Sequence, residues 1–345
     1  MRAIVSKTRP MLSVLLPVYN ARDTVGPAIQ SILRQTFREF ELLVIDDGSQ
    51  DGSVEIARKF RDPRIRIIEL KENGGLVAAL NLGIELARGD LIARQDADDE
   101  SMPTRLERQF AVLSREPNLV AVGAALQIVK HGSPSGEVWK YPVSAAGARW
   151  LSLFKTPVAH SAVVYRRAAV IGIGGYSEDY RFAEDFELWS RLLEIGNIIS
   201  LKEILVKYDI GVGGVSRAKV TEQRLVHCRI VRTNMQRLLG RDVENDVAEL
   251  LAIQIESGGV KKNFSEYQKA VGLLACLYGR FVAAEQTGHR DTAAREVRTD
   301  MEDRVCKMVR MLPYRLRLRG LSVMLGVMPN RSISPRSIVR MLCLP

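Results

Sequence analysis

The sequence predicts an α/β fold: a mostly parallel sheet with helices on both faces, followed by a mainly helical C-terminal region. Three observations carry this. Short apolar runs and segments of helical spacing alternate four times within about 110 residues, the pattern of βαβ units. Acidic residues cluster at the carboxyl ends of two of those strands, where open parallel sheets bind ligands. The charge then changes: residues 1–216 hold 27 basic and 27 acidic side chains, whereas 217–345 hold 23 and 13 and supply the whole net charge of +10. The expected domains are therefore 11–216 and 217–345.

Leu12–Leu16 is an apolar run ending at Pro17 and reads as a buried strand. Val25, Ala28, Ile29, Ile32 and Leu33 recur at helical spacing, with Asp23 as the expected N-cap. Glu41–Ile45 is the next strand, stopped by the turn residues Asp46-Asp47-Gly48-Ser49. Val54, Ala57 and Phe60 mark a short helix, Ile65–Leu70 a strand, and Leu76 to Ala87 another helix. Leu91–Arg94 is a strand running directly into Asp96-Ala97-Asp98-Asp99. Pro103 suits the start of a helix bearing Leu106, Phe110 and Leu113. Beyond Val120 the strands Val120–Ala125 and Ser161–Tyr165 are separated by long Gly, Pro and Ser stretches. Gly172–Gly175 is a turn, and a helix with Phe186, Trp189, Leu192 and Leu193 begins near Glu184-Asp185.

Composition narrows the function classes. With 46% hydrophobic and 26% charged residues, the chain is ordinary globular material rather than disordered. It has no apolar stretch of transmembrane length, and Met1–Val18 lacks the small-residue cleavage site of a signal peptide. Cys228, Cys276, Cys306 and Cys343 form no CxxC pair, which argues against a zinc cluster or a disulfide framework and fits a reducing cytoplasm.

Three constellations bear chemistry. Asp96 and Asp98 stand two residues apart beyond a strand. Hard oxygen ligands suit Mg²⁺ or Mn²⁺, but an acidic turn capping the next helix has the same sequence. Asp47 can accept hydrogen bonds from a base or ribose, or simply close an Asx turn. Glu184-Asp185 offers a general base among apolar neighbours that would raise its pKa, or merely helix N-terminal acid.

Taken in order, Leu15-Leu16-Pro17-Val18-Tyr19-Asn20, Val44-Ile45-Asp46-Asp47-Gly48-Ser49, Asn73-Gly74-Gly75, Asn81, Asp96-Ala97-Asp98-Asp99 and Glu184-Asp185 resemble a family 2 glycosyltransferase of the GT-A fold. The resemblance covers roughly residues 11–216. It implies an inverting transferase that uses a nucleotide-diphosphate sugar and a divalent metal, Mn²⁺ or Mg²⁺. It further implies that Pro17, Val18 and Tyr19 line the nucleotide pocket and that Asp47 reads the base. Asp96 would be the first acid of a DXD motif, near ribose and metal, Asp98 the direct metal ligand and Asp185 the catalytic base. The expected setting is bacterial-type surface polysaccharide or glycolipid assembly, with a saccharide or lipid-linked acceptor.

One departure stands out. Many relatives carry Tyr-Arg-x-His after the domain's last strand, whereas this chain has Tyr208-Asp209-Ile210-Gly211. His160 is a candidate acceptor-side residue, and Lys130–Pro142 is the kind of variable loop that sets the acceptor. A nucleotidyltransferase would show a Gly-rich basic loop, yet Leu15–Asn20 has neither glycine nor lysine. A nucleic-acid binder would interleave aromatics in its basic tail, and after Asp303 this one has only Tyr314. A non-catalytic nucleotide-sugar-binding protein would have no need of Asp98 and Asp185. Residues 304–345 hold nine basic groups, no acids and the apolar run Leu321–Met328. That pattern suits peripheral contact with an anionic membrane on its cytoplasmic face.

Overall fold

The computed structural model describes residues 10–130, 132–210, 220–254, 264–285 and 292–312. The chain forms two compact units, residues 1–141 with 158–218, and residues 142–157 with 219–345.

The first unit opens with β1 (Leu12–Val18), α1 (Val25–Leu33), β2 (Phe40–Asp46), α2 (Ser53–Arg58), β3 (Ile65–Glu69), α3 (Leu76–Leu86) and β4 (Leu91–Arg94). β5 (Glu100–Ser101), α4 (Arg105–Arg115), β6 (Leu119–Lys130) and β7 (Ser133–Trp139) follow. After the insertion come β8 (Val164–Arg166), α6 (Arg167–Gly172), α7 (Glu184–Ile195) and β9 (Asn197–Asp209). Among the described residues the nine strands form one sheet, in the order β3-β2-β1-β4-β8-β6-β9-β5 with β7 on β6. The first four pair in parallel, β8 runs antiparallel between β4 and β6, and β6 and β9 are parallel.

The physical reason is plain in β1 and β2. Leu12, Val14, Leu16, Leu42 and Val44 are buried, as expected of strands covered on both faces. Val25, Ile29 and Ile32 of α1 pack on that layer with Leu106 of α4 and Val122 of β6. Each such side chain contributes about 1.5–3 kcal/mol on full burial.

Three local expectations differ from the structure. Thr24, not Asp23, precedes the first turn of α1. Ser161–Tyr165 begins as a 3₁₀ turn, His160–Ala162, and only Val164–Arg166 forms strand; the Ala162 carbonyl accepts from Gln109 Nε2 instead of a ladder partner. The stretch Lys130–Pro142 folds back on β6 as the hairpin strand β7.

The second unit holds α5 (Ala145–Leu151), α8 (Val220–Leu239), α9 (Asn245–Glu249), α10 (Phe264–Glu285) and α11 (Thr292–Met311), with a π turn at Leu250–Gln254. Residues 142–157, inside the range expected for one domain, belong here because their polar groups are answered here. Glu296 accepts from Val143 N (2.9 Å) and Ser144 N (3.0 Å), and Arg149 pairs with Glu285. Trp150 Nε1 donates to Asp300 (2.8 Å), and the buried Arg304 lies over the Phe154 ring at 3.7 Å. His227 Nε2 bonds the Phe154 carbonyl, a structural use. Among the described residues no helix is long and apolar enough to cross a membrane. The expected membrane segment, with Leu321–Met328 and Arg315 to Arg340, lies outside the described residues.

Candidate active site

The site is built at the carboxyl end of β4. Gln95 N bonds the Leu15 carbonyl of β1 and Arg94 N the Val163 carbonyl, which fixes where the strand stops. Gln95 then folds into the turn that follows, donating from Nε2 to the carbonyls of Asp96 (3.0 Å) and Asp99 (2.7 Å). Its Oε1 accepts from Ser101 Oγ (2.6 Å) and from Arg105 Nη1 (2.9 Å). Arg105 is fully buried. It also donates to Ser101 Oγ, the Arg94 carbonyl (2.6 Å), the Val163 carbonyl and Gln109 Oε1. Burial lowers its pKa to about 9, against the pull of Asp99. The helix α4 therefore turns a charged face, not only Leu106 and Leu113, onto the sheet.

This scaffold crowds three carboxylates. Ligand oxygens of Asp96, Asp98 and Asp99 lie within 4.8 Å of one another. Asp98 is exposed at the surface, yet desolvation and then the charge of Asp96 push its pKa up to about 6. Asp99 is buried and held well above the usual carboxylate range by burial, Asp96 and Asp98. Its Oδ1 accepts from Asp209 N (3.0 Å), while its Oδ2 has no hydrogen-bond partner. Hard oxygens at this spacing, one of them buried and unsatisfied, fit a divalent cation, which would relieve the repulsion.

Arg94 is the counterweight. Its guanidinium is 1% exposed, pairs with Asp96, and leaves Nε without a partner. Burial is the largest single influence and opposes its charge, but the charge and hydrogen bond of Asp96, with Tyr176 and Asp99, together raise its pKa. The same positive charge acts on Glu184 and Asp185 at the start of α7. The triad and the α7 carboxylates thus share one buried cation. Burial, then the charge of Glu184, lift Asp185 to about 7, beating the opposing pull of Arg94 and of the backbone amides. Phe182, two residues before α7, has φ 71°, an uncommon conformation for an aromatic residue that sets the entry into the helix.

Beyond β1 and β2 the predicted nucleotide residues are stitched together. Asn20 (φ 49°) donates its amide to Ser49 Oγ and accepts from Gln50 N, both at 3.0 Å. Val18 O accepts from Asp47 N, Pro17 is half-buried and Tyr19 is 53% exposed. Asp46 rather than Asp47 closes this turn, its carboxylate accepting from Ser49 N three residues on (3.1 Å). Asp47 is buried, and its two oxygens accept from Gly74 N (2.7 Å) and Gly75 N (2.8 Å), so it shapes the loop before α3. Gly48 (φ +72°) permits this approach, since a Cβ there would lie 3.0 Å from Asn73 N. Asn81 of α3 brackets the Tyr176 backbone with bonds of 2.9 Å in both directions, and Tyr176 Oη meets His160 Nε2 at 2.8 Å. Burial and Arg94 hold His160 well below its ordinary pKa, so it is neutral.

Sequence reasoning missed Arg94, Gln95 and Arg105, and left Asp99 without a role. One signal was present: a charged residue closing the otherwise apolar run Leu91-Ile92-Ala93, next to acids.

The model of Glycosyl transferase family 2 matches residues 13–174. An uncharacterized glycosyltransferase of Haemophilus influenzae is 31% identical over 247 residues, 67% of this chain and 75% of the relative. The O-antigen biosynthesis glycosyltransferase WbnJ of Escherichia coli is 33% identical over 208 residues, 58% of this chain and 80% of the relative. Among solved structures, the mannosyltransferase PcManGT from Pyrobaculum calidifontis in complex with GDP-Man and Mn²⁺ superposes with a TM-score of 0.54 at 16% identity, covering 90% of this chain and 88% of that one. The chain belongs to glycosyltransferase family 2, and its first unit has the GT-A fold.

The raised Asp185 is directly measurable. A ¹³C carboxyl NMR titration is expected to give Asp185 an apparent pKa of about 7. Glu184→Gln removes a raising charge and should move it down. A midpoint near the ordinary 3.8 would contradict the buried, like-charged environment.

Proposed function

We propose that the chain is an inverting glycosyltransferase. It would move a sugar from a nucleotide-diphosphate donor to an acceptor hydroxyl in surface-polysaccharide or glycolipid assembly. The observation that carries this reading is the cluster of the Asp96, Asp98 and Asp99 carboxylates, whose neighbouring buried Arg94 pairs with Asp96 and also acts on Asp185. Family membership supports the reaction class. The O-antigen relative supports the pathway, and the GDP-Man and Mn²⁺ complex of the structural neighbour supports a nucleotide sugar with a divalent ion.

In this reading Asp98 and Asp96 would hold Mn²⁺ or Mg²⁺, with the adjacent Asp99 carboxylate within reach of the same ion. A cation bound there would neutralise the charge that develops on the departing diphosphate. Pro17, Val18 and Tyr19 would line the nucleotide, and Asp47, which holds the Gly74-Gly75 loop, would accept from the base. Asp185 takes the proton of the acceptor hydroxyl on its carboxylate. That oxygen bonds to the anomeric carbon as the bond from this carbon to the diphosphate oxygen breaks, which inverts configuration. Water-filled access must stay limited, because a base near pKa 7 in a desolvated site is what makes proton removal efficient at neutral pH. The proposed place of action is the cytoplasmic face of a membrane, supported by the composition of residues 304–345.

Two substitutions separate the roles. Asp98→Ala is expected to abolish metal-dependent donor binding in calorimetry while the circular dichroism spectrum is kept; undiminished Mn²⁺-dependent binding of UDP or GDP would remove Asp98 from the metal site. Asp185→Asn is expected to keep donor affinity and lower turnover by about 10²–10⁴-fold. Unchanged turnover, or an NMR reading of retained anomeric configuration in the wild-type product, would contradict single displacement on this base.

A further inference from the structure

The hairpin strand β7 and the end of β9 carry an aromatic pair that the proposed chemistry does not use. Trp139 and Tyr208 have ring centroids 5.6 Å apart at 37°. Trp139 stands opposite Leu126 and Tyr208 opposite Ile128, two residues apart on β6, so both rings lie on one face of the sheet. The indole is oriented by a bond from its Nε1 to Glu137 Oε1 (2.6 Å), yet the residue remains 37% exposed. Trp150 and Trp189 are 1% and 0% exposed. Tyr141, two residues after Trp139, packs with Tyr208 around the same apolar cluster of Leu126, Ile128 and Val206.

Tyr208 adjoins the acidic turn, because the amide of the next residue, Asp209, donates to Asp99 Oδ1 (3.0 Å). The Tyr208 phenol is pushed up by burial and then by Asp96, Asp99 and Asp98, and the Tyr141 phenol by burial and then by Asp185. Strand order separates them from the nucleotide residues. β1 and β2, with Tyr19 and Asp47, lie on one side of β4, whereas β6, β7 and β9 lie on the other. A pair of tilted aromatic rings, the indole exposed, lying away from the nucleotide loops, suits a ligand ring with an apolar C–H face and a hydroxyl rim. A pyranose has that shape: its C–H face covers the rings while one hydroxyl faces the carboxylate.

The geometry points to Trp139, Tyr208 and Tyr141 as the platform that binds a pyranose of a saccharide acceptor and presents its hydroxyl to Asp185. This inference rests on the transferase reading. The occupant is a sugar ring and not the donor's base, because the strand order puts the base-side loops across β4. It also gives Lys130–Pro142 a physical role: the segment supplies two of the three rings.

The test uses the full chain with methyl pyranosides of the gluco, galacto and manno series, read by saturation-transfer NMR and by intrinsic fluorescence. UDP and GDP with Mn²⁺ are titrated separately. At least one pyranoside is expected to receive saturation on its C–H face and to shift the emission of the exposed indole. Trp139→Ala should weaken its binding by about tenfold or more, and Trp139→Phe, which keeps a ring, should restore most of it. Should Trp139→Ala fail to fold, Trp139→Gln against Trp139→Phe gives the same comparison. Binding to the ring-less variant at wild-type strength, no binding of any pyranoside to wild type, or an emission shift of Trp139 caused by nucleotide alone would each overturn the platform. Pyranoside binding through Trp139 in a wild type that binds no nucleotide would support the platform and contradict the transferase reading.

Discussion

Three carboxylates on four consecutive residues repel one another, and the site exists only because something beneath them holds the turn. That something is the buried guanidinium of Arg105 with Gln95. Together they bind the carbonyls of Arg94, Asp96, Asp99 and Val163 and the hydroxyl of Ser101. A buried cation without partners would be costly, and removing one member of such a network typically costs about 3–5 kcal/mol. Here every donor group of Arg105 has an oxygen acceptor, so the same network that tolerates the charge also fixes the turn. The acids can then be close enough to share a cation without unfolding the strand end that bears them.

Arg94 extends this constraint from fold to chemistry. It is buried, paired with Asp96, and carries a further donor with no partner. Its field reaches the α7 carboxylates as well as the triad, so the two groups cannot be tuned independently. The pKa of Asp185 rises to about 7 because burial and Glu184 outweigh the backbone amides and Arg94. His160 is tied to Tyr176 and through it to Asn81, and burial and Arg94 hold it well below its ordinary pKa.

The parallel half of the sheet was legible in the sequence because its strands are continuous apolar runs; Leu91–Arg94 is strand in both readings. The antiparallel half was legible only in part, since Val120–Ala125 falls within β6 and Ser161–Tyr165 overlaps β8. β7, Ser133–Trp139, is mostly exposed and polar, and it owes its strand form to pairing with β6 rather than to a pattern of its own. The placement of 142–157 was equally hidden. Ser144 and Trp150 are answered by Glu296 and Asp300, about 150 residues away. At the candidate site the acids could be read as acids, and the family resemblance supplied their grouping. What could not be read were the buried partners. Arg105 looks like the solvent face of an amphipathic helix until Gln95, ten residues earlier, is seen to meet it. Asp47 likewise reads as a free carboxylate until Gly74 and Gly75 occupy both its oxygens.

The central claim is that the acidic turn and Asp185 form one metal-centred crevice. The most direct measurement is a crystal structure of the full chain grown with GDP or UDP and Mn²⁺, with diffraction recorded at the manganese edge. An anomalous peak within coordination distance of Asp98 and Asp96, with the diphosphate on it and Asp185 facing the open side, is the predicted result. A nucleotide bound with no peak at the triad, or a peak there with Asp185 turned away from the diphosphate, would contradict the account.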